Sequence, residues 1–399
     1  MQKKEGFEWL IHPITKEQFA EEYFEKKVLH IKQDAIRTPK YYSNLLTRES
    51  LDLFLNEQNV KYPEVQLVGT PKGFKHREYL KEDNSINLSK LFKYYSEGAT
   101  INVVGLNNYL LPLGNLCENL IKETSHRYQT NIYCTPKNTQ GFEVHYDSHD
   151  VIVLQVHGTK NWEIYDSPIE LPLKGLQNFT PEQDLNPTLK QKLTLKEGEL
   201  LYIPRGVMHN AKSADTSSIH ITLGLVGTSI YKLLTNSLAE IAKGNKKYRQ
   251  FLPLGYINDK DAKEKIKEEF KNLIKDFENQ IDLDSVLNTL EDNVIKNTPV
   301  KLINQLENID NILEENIDYN QVSFSVRKSL IIKTEIVKEE LVIKANGLEH
   351  NFPDYVLNTF NKICETDTFT TSDLGNDLDS EGKEVLLEYL IKEGIIIVV

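Results

Sequence analysis

The stretch that most constrains this chain runs from Asn131 to Tyr165, NIYCTPKNTQGFEVHYDSHDVIVLQVHGTKNWEIY. His145 and Asp147 stand one residue apart at the entrance to the apolar run VIVLQV, which reads as a buried strand. Side chains two positions apart on a strand leave by the same face, so an imidazole nitrogen and a carboxylate oxygen are offered to one point in space. Such a pair is two-thirds of a facial metal site.

The third donor is expected from His209, which follows the strand-like GELLYI and a Pro204-Arg205-Gly206 turn. Two histidines and one carboxylate cover one face of an octahedron and leave the opposite positions open, the donor set of non-haem Fe(II) oxygenases. A structural zinc site is closed by four ligands, commonly cysteines. A lone His-x-Asp is usually only a polar turn, so the weight of the reading falls on the strands that follow. Gly158 breaks the apolar run, and KNWEIY returns with Lys160, Trp162 and Ile164 on one face. A lysine there is expensive to bury without an anion. Either its ammonium snorkels to water at the strand end, or it pairs with the distal carboxylate of 2-oxoglutarate.

A third strand completes the pattern. In SSIHITLGL the set Ile219, Ile221, Leu223 and Leu225 alternates with Ser218, His220, Thr222 and Gly224, and the second set makes a polar, roomy wall. Asn131 and Tyr133 likewise share a face. Polar side chains pointing inward from several strands of a barrel describe a ligand pocket better than a packed core. His149 has the parity of His145 and Asp147 and would join them only if the strand bulges; Asp150 faces the other way.

These residues together closely resemble the JmjC-type ribosomal oxygenases and their bacterial cupin relatives. The resemblance is carried by Asn131-x-Tyr133-x-Thr135-Pro136, Gln140-Gly141-Phe142-x-x-His145-Tyr146-Asp147, Val153-Leu154-Gln155, Gly158-x-Lys160-x-Trp162, Leu201-Tyr202-x-Pro204-Arg205-Gly206-x-x-His209 and His220-x-Thr222-Leu223. It continues outside the barrel through Phe19 to Ile31, Tyr42 to Leu55 and the C-terminal segment. It implies Fe(II) held by His145, Asp147 and His209, with Lys160 and Tyr133 on the C5 carboxylate of 2-oxoglutarate and Asn131 and His220 lining the pocket. The implied activity is hydroxylation of a side chain in a ribosomal protein; a ribosomally made peptide is the alternative target. Gly224 stands where some relatives carry a serine near the cosubstrate, so that contact is lost or passes to Thr222.

A chain of 399 residues exceeds one ordinary core. The expected fold is α+β: an N-terminal α/β segment flanking the barrel (1–95), a double-stranded β-helix, or jelly roll, of the JmjC/cupin type (96–227), a helical segment (228–318) and a winged-helix-like segment (319–399). The resemblance implies that the helical segment supports a homodimer.

No apolar run of 18 residues and no signal-peptide core are present, so neither a membrane span nor secretion is indicated and the cytoplasm is the default. Cys117, Cys134 and Cys364 are odd in number and far apart, as expected of reduced structural thiols. With 47 basic and 59 acidic residues the net charge is −12, which disfavours nucleic acid and attracts a basic polypeptide.

Along the chain, helices are expected over Lys16 to Lys27, Tyr42 to Leu55 with Thr47 and Ser50 capping an internal break, and Tyr109 to Thr124 interrupted near Pro112 and Gly114. His30, in the short strand VLHI, reads as a structural histidine. An irregular excursion, LPLKGLQNFTPEQDLNPTLK, separates the metal-ligand segments. Three amphipathic helices follow Gly227. The region from Glu365 onward holds nine acids against two lysines, a poor DNA reader. Two competing functions remain: a non-catalytic cupin that binds a ligand, and a metal-dependent cupin enzyme without a cosubstrate. The first predicts that a donor or Lys160 is missing, and the second leaves Lys160 without a purpose.

Overall fold

Two antiparallel sheets build the first of two units, Met1–Gly227. The larger sheet takes Leu29–Ile31 (β1), Val65–Val68 (β2), Thr100–Val104 (β3), Arg127–Thr135 (β4) and Asp150–His157 (β5). The smaller takes Lys160–Tyr165 (β6), Leu189–Leu195 (β7) and His209–Ser213 (β9); Leu200–Ile203 (β8) and Ser218–Val226 (β10) return to the larger. The strand orders are β1-β8-β5-β10-β4-β3-β2 and β7-β6-β9. In this computed structural model the described residues are 5–57, 59–69, 75–180, 186–298, 300–314, 317–328 and 330–399.

The sheets face one another across an apolar core of Val151, Val153, Leu201 and Ile203 from the larger and Trp162, Ile164, Leu193 and Leu195 from the smaller. This is the jelly-roll sandwich expected for residues 96–227, with one difference at its margins. The N-terminal segment does more than flank the barrel, because β1 pairs with β8 and β2 with β3, so it supplies both outer strands of the larger sheet. An unpaired edge leaves backbone donors exposed, and these two short strands cover it.

Strand β5 is buried along its first six residues, Asp150 to Gln155, where a half-exposed strand would alternate. It lies between β8 and β10, and the N-terminal segment covers the face that would otherwise meet water. Gly158 turns the chain into β6 at φ +67°, and a Cβ there would fall 1.9 Å from the Ser217 carbonyl oxygen. Only glycine fits that turn.

The helices are shorter than their apolar periodicity suggests. Lys16–Glu22 (α2) stops before Lys27, and Arg48–Glu57 (α3) begins well after Tyr42. Thr47 and Ser50 exchange backbone N–H to hydroxyl bonds at its start, as a reciprocal cap. The helix read as broken at Pro112 runs without interruption over Leu111–Thr124 (α5). Pro112 falls in its first turn, where a missing N–H costs nothing. His30 Nε2 donates to Glu199 Oε2 at 2.8 Å, a part-buried structural pair.

The second unit, Thr228–Val399, begins with Ile230–Gly244 (α6), Lys260–Gln280 (α7) and Leu283–Lys296 (α8). Its core collects Phe324, Leu341, Ile343, Phe360, Leu387 and Leu390, with Val300 and Ile312 packed against it. No boundary therefore falls at residue 318. Helix Leu357–Glu365 (α10), a short turn at Thr371–Leu374, helix Ser380–Lys392 (α11) and strand Ile396–Val398 follow in the order read from the sequence. Among the described residues, no helix is long and apolar enough to cross a membrane.

Candidate active site

His145, Asp147 and His209 come together: a ligand atom from each lies within 4.8 Å of the other two. The cause is a main-chain bridge. His145 and His209 exchange N–H to C=O bonds at 3.1 and 2.8 Å, which fastens the segment before β5 to the start of β9. The His-x-Asp pair thus precedes the regular strand, and its convergence on His209 comes from this bridge more than from strand alternation.

Both imidazoles are oriented from behind. His145 Nδ1 lies 2.8 Å from the Glu143 carbonyl oxygen and His209 Nδ1 3.0 Å from that of Val207. A carbonyl only accepts, so each Nδ1 carries the proton and each Nε2 turns a lone pair inward. His209 Nε2 stands 3.7 Å from Asp147 Oδ2, a spacing that would suit an ion pair. Burial, with His145 beside it, pushes His209 down to about 4, so the ring is neutral at physiological pH. Two lone pairs and a carboxylate facing one point without a proton between them fit a cation.

The three donors open into a cavity of about 210 Å³ whose far end holds Lys160. The side chain of Lys160 is only 4% exposed, and among the described residues its ammonium makes no ion pair. It donates to Thr135 Oγ1 at 3.2 Å. Burial pushes it down to about 7, the mark of a cation waiting for a counter-charge. The alternative of a snorkelling strand-end lysine is excluded by that burial.

Tyr133, His220 and Thr222 also line the cavity. Tyr133 and His220 are cross-strand partners whose rings stack at 5.0 Å. Burial holds the Tyr133 phenol above its usual range and the His220 ring well below its own, with Lys160 adding to the latter. His220 Nδ1 is buried without a hydrogen-bond partner. Asn131 is the exception: it sits opposite Thr222 on β4 but is not among the cavity walls, and its buried Oδ1 is unpartnered. Gly224 is occupied from outside by the His149 ring, and His149 is not part of the three-donor cluster.

Sequence reasoning overlooked the aromatic rim. Phe142 lies 5.4 Å from His145 and 5.8 Å from Tyr133. Phe179, on the irregular excursion, meets His145 at 6.2 Å and Tyr146 at 5.4 Å. Phe142 adjoins the motif and was within reach of inspection; Phe179 carries no local signal. Residues 181–185 of that excursion lie outside the described residues.

Asp150, expected to face away, does so with effect. Fully buried, it accepts from Tyr202 Oη and from the Arg205 backbone N–H, and Arg205 also pairs with Glu25. The next residue, Gly206, donates its N–H to the Asp147 carbonyl at 3.0 Å. Asp150 thereby fixes the turn that joins Asp147 to His209. Asp150→Ala is expected to cost about 3 kcal/mol of stability by leaving Arg205 and Tyr202 without a buried acceptor. Urea denaturation checks this, and an unchanged midpoint would refute it.

Residues 110–233 match the JmjC domain family model. That segment resembles a JmjC domain. The chain is 32% identical to the bifunctional lysine-specific demethylase and histidyl-hydroxylase NO66 of Aedes aegypti, over 63% of this chain and 40% of that protein. With NO66 of Dictyostelium discoideum it shares 34% identity over 62% of this chain and 49% of the relative. The chain thus spans less than half the length of these relatives. Among solved structures, Escherichia coli YcfD aligns over 97% of this chain and 98% of its own, with a TM-score of 0.52 at 15% identity. A YcfD structure with cobalt and 2-oxoglutarate, described as a ribosomal oxygenase, aligns over the same shares with a TM-score of 0.50. At such identity the likeness is one of fold, and it extends from the jelly roll through the C-terminal unit.

Proposed function

We propose that this protein is an Fe(II)- and 2-oxoglutarate-dependent oxygenase that hydroxylates an amino-acid side chain in a polypeptide. The observation that carries the reading is the pairing of a three-donor facial cluster with a buried, unpaired lysine at the other end of one cavity. A cupin that only stores a ligand needs no such combination, and a metal enzyme without a dicarboxylate has no use for Lys160.

His145, Asp147 and His209 would hold the ferrous ion, which with its keto acid and O2 would supply the oxidation: one oxygen atom of O2 converts a C–H bond to C–OH and the other enters succinate as 2-oxoglutarate loses CO2. Lys160 and Tyr133 grip the distal carboxylate, with His220 and Thr222 against its chain. The neutral His220 leaves the lysine as the positive charge facing that carboxylate. Val151, Val153 and Trp162 give the cavity apolar walls that exclude water from the reacting bond.

The likeness to YcfD, described as a ribosomal oxygenase, supports a ribosomal protein as the target, and the acidic net charge suits a basic one. Deleting the gene is expected to remove one oxygen from one ribosomal protein by intact-mass spectrometry. A ribosomal set without any such change would rule out that target and favour a peptide precursor. The second unit is read as a pairing device: α7 has no buried residue, and Phe270, Ile274, Leu234 and Leu238 are exposed on α7 and α6, as suits a homodimer. The C-terminal winged-helix-like segment, with its acidic balance, is read as a protein contact and not a DNA reader. Three free thiols fit a cytoplasmic setting.

A further inference from the structure

The cavity has one neighbour that the cosubstrate reading does not use. On β5 and just before it, Val153, Val151 and His149 succeed one another at intervals of two, and the two valines line the cavity. On β10 the matching row is His220, Thr222 and Gly224, of which the first two line it. Gly224 pairs with Val151, so both rows leave the cavity at the same end. Lys160 donates to Thr135, which pairs with Ser218 two residues before His220, so His220 belongs to the Lys160 end, and four strand residues span roughly 13 Å. Gly224 and His149 therefore stand at the opposite end, and His149 is two residues from Asp147, on the side of the metal ligands.

Here the two rows interlock. A Cβ built on Gly224 would come within 2.8 Å of both Cδ2 and Nε2 of His149, closer than a side chain tolerates. The imidazole packs against bare backbone, where a side chain at 224 would displace it. His149 is half-buried, and among the described residues it makes no hydrogen bond or ion pair. Partly open to solvent and without a protein partner among the described residues, its ring nitrogens are available to an incoming group. A fourth metal donor would close a position that the cosubstrate needs, and His149 lies outside the three-donor cluster.

We propose that His149 is a specificity-determining residue whose imidazole hydrogen-bonds a polar group of the incoming polypeptide beside the metal ligands, and that position 224 is glycine in order to seat it. The proposal rests on the oxygenase reading and adds a contact on the substrate side. Its energy is that of one hydrogen bond in a partly dry site, so His149→Ala weakens peptide binding about tenfold and His149→Asn recovers part of the loss. Gly224→Ser pushes the ring aside and has the same consequence. The Gly224→Ser/His149→Ala double variant is no worse than His149→Ala alone, because both changes remove one contact.

The test uses the full chain loaded with Mn(II), which binds without turnover, and 2-oxoglutarate. The probe is the synthetic peptide that the Fe(II) enzyme hydroxylates from a panel tiling the ribosomal proteins. Fluorescence anisotropy reads peptide affinity, and a parallel titration shows 2-oxoglutarate affinity within about twofold of the unsubstituted chain, as expected when Lys160 is untouched. Thermal melts establish that each variant is folded; should Gly224→Ser not fold, the His149→Ala and His149→Asn pair decides the matter. Unchanged peptide affinity in His149→Ala overturns the proposal, and full additivity in the double variant overturns the seating role of Gly224. If the unsubstituted chain binds no 2-oxoglutarate and hydroxylates no peptide, the oxygenase reading itself falls and this inference with it.

Discussion

His209→Ala is expected to leave a folded protein that no longer holds Fe(II) and has lost all 2-oxoglutarate turnover. Folding survives because the tie between the two ligand segments is main chain: the exchanged N–H to C=O bonds of His145 and His209 need no imidazole. The metal does need it. Second-layer partners of metal ligands are worth about 10- to 100-fold in affinity, and loss of a ligand itself exceeds that range. The remaining Nε2 of His145 and the Asp147 carboxylate define an edge in place of a face. Titration with Co(II), followed by its visible absorption, gives affinity independently of catalysis. The unsubstituted chain should also melt at a higher temperature with metal present, since a ligand that binds only the folded state stabilises it. His209→Ala should show neither response. Metal affinity equal to that of the unsubstituted chain would remove His209 from the site.

The features readable from sequence are those whose cause is local. The parity of Lys160, Trp162 and Ile164, the shared face of His220 and Thr222 and the glycine at 158 each follow from a few adjacent residues, and each appears in the structure. What could not be read is set by partners far along the chain. The exchange that brings His145 to His209 joins positions 64 residues apart by main-chain bonds that any residues would make. The burial of β5 on both faces depends on an N-terminal segment more than a hundred residues earlier; Glu25, for example, donates its N–H to the Tyr202 hydroxyl. Asn131 has the right parity for the cavity, yet parity gives only the face and not the depth. At Gly224 the sequence left open a lost contact or a substitute from Thr222; it gave no sign that the His149 ring, from just before the neighbouring strand, packs against that glycine. Proline 112 misled because its effect depends on where the helix begins, which the local pattern leaves open by several residues.

Lys160→Met separates function from stability in opposite directions. The buried ammonium has Thr135 as its hydrogen-bond partner, and burial lowers its pKa from the usual 10.5 to about 7. Between those two values the unfolded chain holds a proton that the folded chain does not, so stability rises with pH across that window. Below about 7 both states hold the proton and the full cost of burying the charge is felt. A methionine of similar length removes that cost, and the ligand-free variant should melt at a higher temperature below pH 7 and lose the pH dependence above it. Cosubstrate binding changes the other way. Breaking a buried ion pair costs about 3–5 kcal/mol, which corresponds to a loss of roughly a hundred- to several-thousandfold in 2-oxoglutarate affinity. The same cation gives the unsubstituted chain a pH signature. A dicarboxylate needs Lys160 protonated, so affinity should be level below pH 7 and weaken by up to about tenfold per unit above it, with one proton taken up on binding. Calorimetry in buffers of different ionisation enthalpy measures that proton directly. Affinity that is flat from pH 6 to 9 in the unsubstituted chain, or undiminished in Lys160→Met, would mean that the carboxylate is held elsewhere.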